Sequence, residues 1–236
     1  MPAVLITGAS RGIGAAACRR FAAAGYDILM VARPSDDLDR MVVELAGQGS
    51  RVEAAAINLA DPGAIGPGLA ELLDRASTPA VLINNAGAAW TGGLLEMPLD
   101  HWQWLLQLNL TSVFQVCAAV VPRLRTAGGG LVINVSSHAA RNAFPDWGAY
   151  CTSKAALAAF SRCLATEERG NGIRVYTLTL GSVNTPLWDS ATVHSSFYRR
   201  AMLPPEQVAE ALLFLAQQSP DQVVEDLTLM PAAGAL

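Results

Sequence analysis

Tyr150 and Lys154 stand at i and i+4 where Tyr150-Cys151-Thr152-Ser153-Lys154 opens a segment that continues through Ala155-Ala156-Leu157. On a helix that spacing puts both side chains on one face. A free tyrosine, with a pKa of about 10, is a poor acid–base group at neutral pH. A nearby ammonium stabilises the phenolate and lowers that value. The pair is therefore suited to passing a proton to or from a carbonyl oxygen. Taken alone, a Y-x3-K spacing describes an exposed surface pair equally well.

A second stretch, Thr7-Gly8-Ala9-Ser10-Arg11-Gly12-Ile13-Gly14, follows the apolar run Ala3 to Ile6. Gly8 to Gly12 fits G-x-S-x-G, the elbow that presents a hydrolase's nucleophilic serine. Gly8, Gly12 and Gly14 also fit a turn that cradles a dinucleotide's phosphates. An elbow needs an oxyanion donor from an earlier loop, and only one strand precedes Ser10. The phosphate reading needs only local parts. Gly8 makes the tight turn, Gly12 admits the pyrophosphate, and Gly14 packs the next helix on the sheet. That helix start offers free N–H groups and partial positive charge.

The end of the second strand carries the next clue. An acidic residue there grips the ribose of NAD(H), whereas an arginine accommodates the 2′-phosphate of NADP(H). Here the chain reads Val31-Ala32-Arg33, and Arg11 lies inside the glycine turn. Two cations and no carboxylate favour NADP(H) over NAD(H), since arginine pairs with phosphate in a bidentate way.

The elements that must position these groups are legible as short apolar runs. Strands are expected at Val4–Thr7, Ile28–Ala32, Val52–Ile57, Val81–Asn84, Leu131–Val135, Arg174–Leu180 and Val224–Met230. Their continuous rather than alternating apolar character indicates burial on both faces. Helical patterns at Ala15–Ala24, Leu38–Ala46, Leu69–Ala76, Trp102–Leu124, Ala155–Glu168 and Pro205–Gln217 lie between them. Strands alternating with crossovers of this length imply a right-handed parallel sheet. The expectation is one α/β domain over 1–236, a doubly wound Rossmann-type fold with a seven-stranded parallel sheet and helices on both faces.

Composition agrees. The 236 residues are 52% hydrophobic and 15% charged, with a formal net charge of −4. This excludes a disordered chain, and without a basic stripe nucleic acid is not an expected partner. The cysteines, Cys18, Cys117, Cys151 and Cys163, form no C-x2-C pair, and the three histidines are scattered, so no metal site is expected. No signal segment and no apolar run of membrane-spanning length is apparent, and the expected location is the cytoplasm.

Together the motifs resemble those of the short-chain dehydrogenase/reductase family: the glycine turn at Thr7 to Gly14, Asn84-Asn85-Ala86-Gly87 after the fourth strand, a serine upstream of the tyrosine, and Tyr150-x3-Lys154. The resemblance covers about residues 3 to 230. It implies reversible reduction of a carbonyl by NADPH, with a proton relay through Tyr150, Lys154, Ser137 and Asn109. Tyr150 would be the proton donor, Lys154 would also bind the nicotinamide ribose, Ser137 would hold the carbonyl, and Asn109 would keep a relay water. The coenzyme would run along Gly8, Ser10, Arg11, Gly12, Ile13, Gly14, Arg33, Asn58, Leu59, Asn85, Ala86, Gly87, Gly181, Val183 and Thr185. The sequence departs from the family at Leu180-Gly181, where Pro-Gly is usual, and at Asn58, where Asp is common.

The substrate is less constrained. The segment 186–203 is expected to be a lid, and Trp90, His138, Phe144, Trp147 and Trp188 to line the substrate pocket. The aromatics favour an apolar or aromatic ketone, while the lid arginines would suit a carboxylate. The family resemblance also implies a homodimer or homotetramer.

Overall fold

The computed structural model describes residues 1–234; residues 235 and 236 of the expected domain lie outside them. Seven strands form one parallel sheet: β1 (Ala3–Thr7), β2 (Asp27–Ala32), β3 (Val52–Ala56), β4 (Val81–Asn84), β5 (Gly130–Ser137), β6 (Ile173–Leu180) and β7 (Asp226–Leu229). Their order across the sheet is β3-β2-β1-β4-β5-β6-β7. The chain leaves β1 in one direction to build β2 and β3, then returns beside it with β4. This reversal opens a crevice above the carboxyl ends of β1 and β4, where ligands of doubly wound sheets bind.

The sheet is buried on both sides because alternate residues feed two cores. Val4, Ile6, Ile28 and Met30 pack under α1 (Gly12–Ala23), α2 (Asp36–Gly47) and α7 (Pro205–Ala216), against Phe21, Leu38, Met41 and Leu212. Leu5, Leu29, Leu82 and Val132 face the other way, toward Leu69, Leu72, Val116, Val120 and Leu157 of α3 (Pro62–Arg75), α5 (Ser112–Thr126) and α6 (Gly148–Glu168). All five β1 residues are buried, so no polar position interrupts the run. Truncating Leu5 to alanine would remove about 2–5 kcal/mol.

Three expectations are corrected. The helix expected at Leu69–Ala76 begins at Pro62. Asp61 Oδ1 accepts a hydrogen bond from Gly63 N at 3.0 Å, and Pro62 supplies a preset φ at the first helical position. Gly63, Gly66, Pro67 and Gly68 hide this start in the sequence. The helix expected at Trp102–Leu124 begins at Leu99, as α4 (Leu99–Leu106), and passes through a π turn at Gln107–Thr111 before α5. One extra residue per turn leaves no mark on apolar periodicity. Finally, the continuous Leu99–Thr126 segment has 28 residues and is long and apolar enough to cross a membrane by composition. Here its α5 part is a core helix, burying Val113, Val116, Val120 and Leu124.

Candidate active site and coenzyme cleft

The glycine turn is built for contact with another backbone. Gly8 and Gly12 have φ of 66° and 55°, in the left-handed region. A Cβ on Gly14 would lie 2.0 Å from Gly8 O, so the helix touches the turn with no room for a side chain. Thr7 and Asn85 lock this turn to the loop after β4. Thr7 Oγ1 accepts from Asn85 N and Ala86 N, each at 3.0 Å, and Asn85 Nδ2 donates to Thr7 O at 2.9 Å. Thr7 is the residue that sequence reasoning passed over; its signal is the Thr before Gly8 in the motif.

Helix α1 starts with no side-chain cap and no acid in its first turn, whereas α2 is capped by Ser35 and carries Asp36, Asp37 and Asp39. Its free N–H groups face a cleft of about 1350 Å³. The cleft is lined by Gly8, Ser10, Arg11, Gly12, Ile13, Arg33, Asn58, Leu59, Asn85, Ala86, Gly87 and Thr185, among others. Its only charged lining side chains are Arg11 and Arg33, both exposed and, among the described residues, in no ion pair. Asn58 Oδ1 caps Ala60 N at 3.1 Å. Ser10 makes no hydrogen bond to any histidine among the described residues, and His138 lines a different cavity, so the hydrolase reading finds no partner here.

The second constellation assembles at the ends of β5 and α6. Ser137 is the last residue of β5, and its Oγ accepts from Ala139 N at 3.1 Å. Helix α6 begins at Gly148, ahead of the apolar pattern expected from Ala155, and so takes in both Tyr150 and Lys154. Tyr150 thus sits in its first turn and Lys154 one turn on. Lys154 is buried, its Nζ donates to Val135 O at 3.1 Å, and it lies 5.8 Å from the centre of the Tyr150 ring. Burial lowers the Lys154 pKa to about 8. For Tyr150, burial pushes the phenol upward and outweighs the hydrogen bond with Ser137 that pulls it down. The expected lowering of Tyr150 by its lysine neighbour is therefore not seen among the chain's own groups, because desolvation of a phenolate is the larger effect.

Asn109 lies in the π turn and is completely buried. Its Nδ2 donates to Ala88 O at 2.9 Å and Ser153 Oγ at 3.0 Å, while its Oδ1 accepts from Ala88 N at 2.9 Å. The four residues Asn109, Ser137, Tyr150 and Lys154, far apart in the chain, thus converge around the loop after β4.

A cavity of about 970 Å³, open to solvent, joins this group. Ser137, His138, Phe144, Trp147, Tyr150, Lys154, Gly181, Val183, Thr185 and Trp188 line it. It shares Ile13, Asn85, Gly87, Ala88, Thr185 and Leu187 with the larger cleft, so the two form one trough. Trp90 is a correction: it lines neither, because its ring lies against Gly92, where a Cβ would come within 2.5 Å of it. Leu187, Phe197 and Met230 also line the cavity and were not singled out as pocket residues. Leu180 in place of the family's proline leaves the turn intact, with Gly181 N bonded to Leu229 O at 2.9 Å.

The segment 186–203 lies closed across the trough. Its base is zipped by the Val183–Leu203 bridge and by Asn184 N to Leu203 O at 2.8 Å. Arg199 ties Asn184, Asp189 and Thr185 O together. On the far side Thr91 N donates to Thr192 O at 2.9 Å and Thr192 Oγ1 to Ala89 O at 2.8 Å.

The profile of the family described as short chain dehydrogenase matches residues 2–195. The chain belongs to the short-chain dehydrogenase/reductase family. It is 31% identical over 225 residues to a D-threitol dehydrogenase of Mycolicibacterium smegmatis, covering 91% of this chain and 85% of that one. It is 30% identical over 225 residues to a 3-oxoacyl-(acyl-carrier-protein) reductase of Thermotoga maritima, covering 93% and 92%. Its fold resembles the L-sorbose reductase of Gluconobacter frateurii, solved with NADPH and L-sorbose, at a TM-score of 0.89 and 28% identity, covering 100% and 96%. A metagenomic short-chain oxidoreductase solved with NADP gives 0.85 and 29%, covering 98% and 97%. Within this family the chain is an NAD(P)-dependent dehydrogenase/reductase.

Proposed function

We propose that this protein is an NADPH-dependent oxidoreductase that reversibly reduces a ketone or aldehyde to an alcohol. The observation that carries this reading is the convergence of Ser137, Tyr150, Lys154 and Asn109 at one end of a trough whose other end holds an uncapped helix start and two arginines in no ion pair among the described residues. The close contacts of Gly8 and Gly14, where a Cβ would fill the cradle, fit a dinucleotide's pyrophosphate. Arg11 and Arg33 would hold the 2′-phosphate, Asn58 the adenine, Asn85, Ala86 and Gly87 the cleft wall, and Val183 and Thr185 the carboxamide. Bound there, the nicotinamide supplies the hydride.

The chain's own residues handle the oxygen. Ser137 and Tyr150 donate hydrogen bonds to the carbonyl oxygen, where negative charge develops. Tyr150, whose phenol burial keeps protonated, then gives up its proton to that oxygen. Lys154 Nζ stands beside the ring as the proton store for the resulting tyrosinate. Asn109 holds the loop at Ala88 through two hydrogen bonds and α6 at Ser153 through a third. A Cβ on Gly87 would stand 3.2 Å from Asn109 Oδ1 and 3.7 Å from Lys154 Nζ. Asn109 and Lys154 therefore both border the space beside Gly87, which supports the relay role of Asn109.

The test is coenzyme oxidation by purified protein across a carbonyl panel, with NADPH and NADH in parallel. NADPH is expected to give the higher kcat/KM, and Arg33→Ala with Arg11→Ala to remove about tenfold or more of that preference. Equal use of both coenzymes by the wild type would refute the NADPH assignment.

A further inference from the structure

We propose that the substrate is an uncharged ketone with an aromatic ring next to the carbonyl, rather than a keto acid or a sugar. This rests on the oxidoreductase reading above. Beyond Tyr150 the cavity wall is a set of packed rings. Trp147 lies 5.6 Å from the Tyr150 ring, 5.6 Å from Trp188 and 6.5 Å from Phe197, whose plane is parallel to it within 7°. Phe197 and Trp188 meet edge to face at 5.5 Å. The wall starts one ring away from the proton donor, so an apolar body has to begin beside the carbonyl carbon to use it. Flat rings stack well on such a surface.

Charge selects against acids. Among the described residues Lys154 is the only lysine, arginine or carboxylate side chain that lines the cavity, and its Nζ is directed at Val135 O beside Tyr150. Arg199 is consumed by Asn184, Asp189 and Thr185, and neither it nor Arg200 lines the cavity. A carboxylate seated against the aromatic wall would be desolvated without a partner.

Hydrogen-bonding capacity selects against polyols. The Trp188 Nε1 donates to Val183 O at 2.8 Å, and Asn142 Nδ2 donates to His138 Nε2 at 2.9 Å. Ser136 and Ser182 also line the cavity, with hydroxyls buried from solvent. A ketose bound here would give up several water contacts against a largely apolar wall, with few side-chain hydroxyls to replace them.

The test compares four carbonyls with NADPH: an aryl methyl ketone, its para-carboxylate, an aryl α-keto acid and a ketohexose. The aryl methyl ketone is expected to exceed each of the others in kcat/KM by about 100-fold. Phe197→Ala is expected to raise its KM about tenfold, with Phe197→Leu between, and to weaken quenching of tryptophan fluorescence by that ketone to the same extent. NADPH affinity should not change in either variant. A better rate with the keto acid, the para-carboxylate or the ketohexose overturns the inference and leaves the reductase reading standing. So does a Phe197→Ala loss that is equal for aryl ketone and ketohexose. NADPH binding with no carbonyl reduced by the wild type defeats the reductase reading itself, and this inference with it.

Discussion

Asn109 and Ala88 are joined by a closed pair of hydrogen bonds: Asn109 Nδ2 donates to Ala88 O and Ala88 N donates to Asn109 Oδ1, both at 2.9 Å. The pair fastens the π turn of one helix to the loop that follows β4. With Asn109 also donating to Ser153 Oγ in α6, three elements around Tyr150 and Lys154 are fixed by one side chain. Asn109→Asp keeps the shape and removes both donated bonds, leaving Ala88 O unpaired beside a new buried charge. The variant is expected to lose about 1–3 kcal/mol in urea unfolding, with kcat falling more than NADPH affinity.

Gly87→Ala would place a methyl group between Asn109 Oδ1 and Lys154 Nζ. If the relay passes through water in the space beside Gly87, the methyl narrows it, and kcat should fall about tenfold or more while the melting temperature stays near that of the wild type. An unchanged kcat would show that the space is not used.

Lys154 gives a pH signature in stability. Its folded pKa, about 8, lies below the ordinary 10.5 of a lysine. The unfolded chain therefore binds more protons between these values, and stability rises with pH through that window. Below about pH 8 the burial penalty is fully present. Lys154→Met, which also removes the bond to Val135 O, is expected to be more stable than the wild type at pH 7 by up to about 3 kcal/mol. The gap should narrow between pH 8 and 10.5, as chemical denaturation across that range would show, and the variant should be inactive.

The wild-type rate carries the matching sign. If Lys154 must be charged to resupply the proton, kcat/KM for reduction is flat below about pH 8 and falls above it. A profile level to pH 10 would remove Lys154 from proton supply.

The fold was legible because strands buried on both faces read as unbroken apolar runs: β1, β2 and β4 start or end within a residue of the expected positions. The start of α3 was not, since a proline at the first helical position and a glycine donating its N–H to an aspartate cap look like a loop in one dimension. The chemistry of the site was legible as residue types at fixed spacing, and the structure brings Ser137, Tyr150, Lys154 and Asn109 together. What spacing does not carry is direction. Trp90 sits on a loop at the right end of the sheet and turns onto Gly92 instead of the cavity. Phe197 and Met230 enter it from a lid and from the residue after β7, whose paths depend on tertiary contacts. The Tyr150 pKa went against expectation for a related reason: depth of burial is a property of the packed protein, and it outweighed the hydrogen bond with Ser137.

The central claim is that Tyr150 donates the proton in a carbonyl reduction, and Tyr150→Phe tests it most directly. NADPH binding and carbonyl-dependent NADPH oxidation would be measured side by side for this variant and the wild type. The account predicts binding within about twofold of the wild type and a fall in kcat of about 100-fold or more. A variant that binds NADPH and reduces the carbonyl at near the wild-type rate would contradict it.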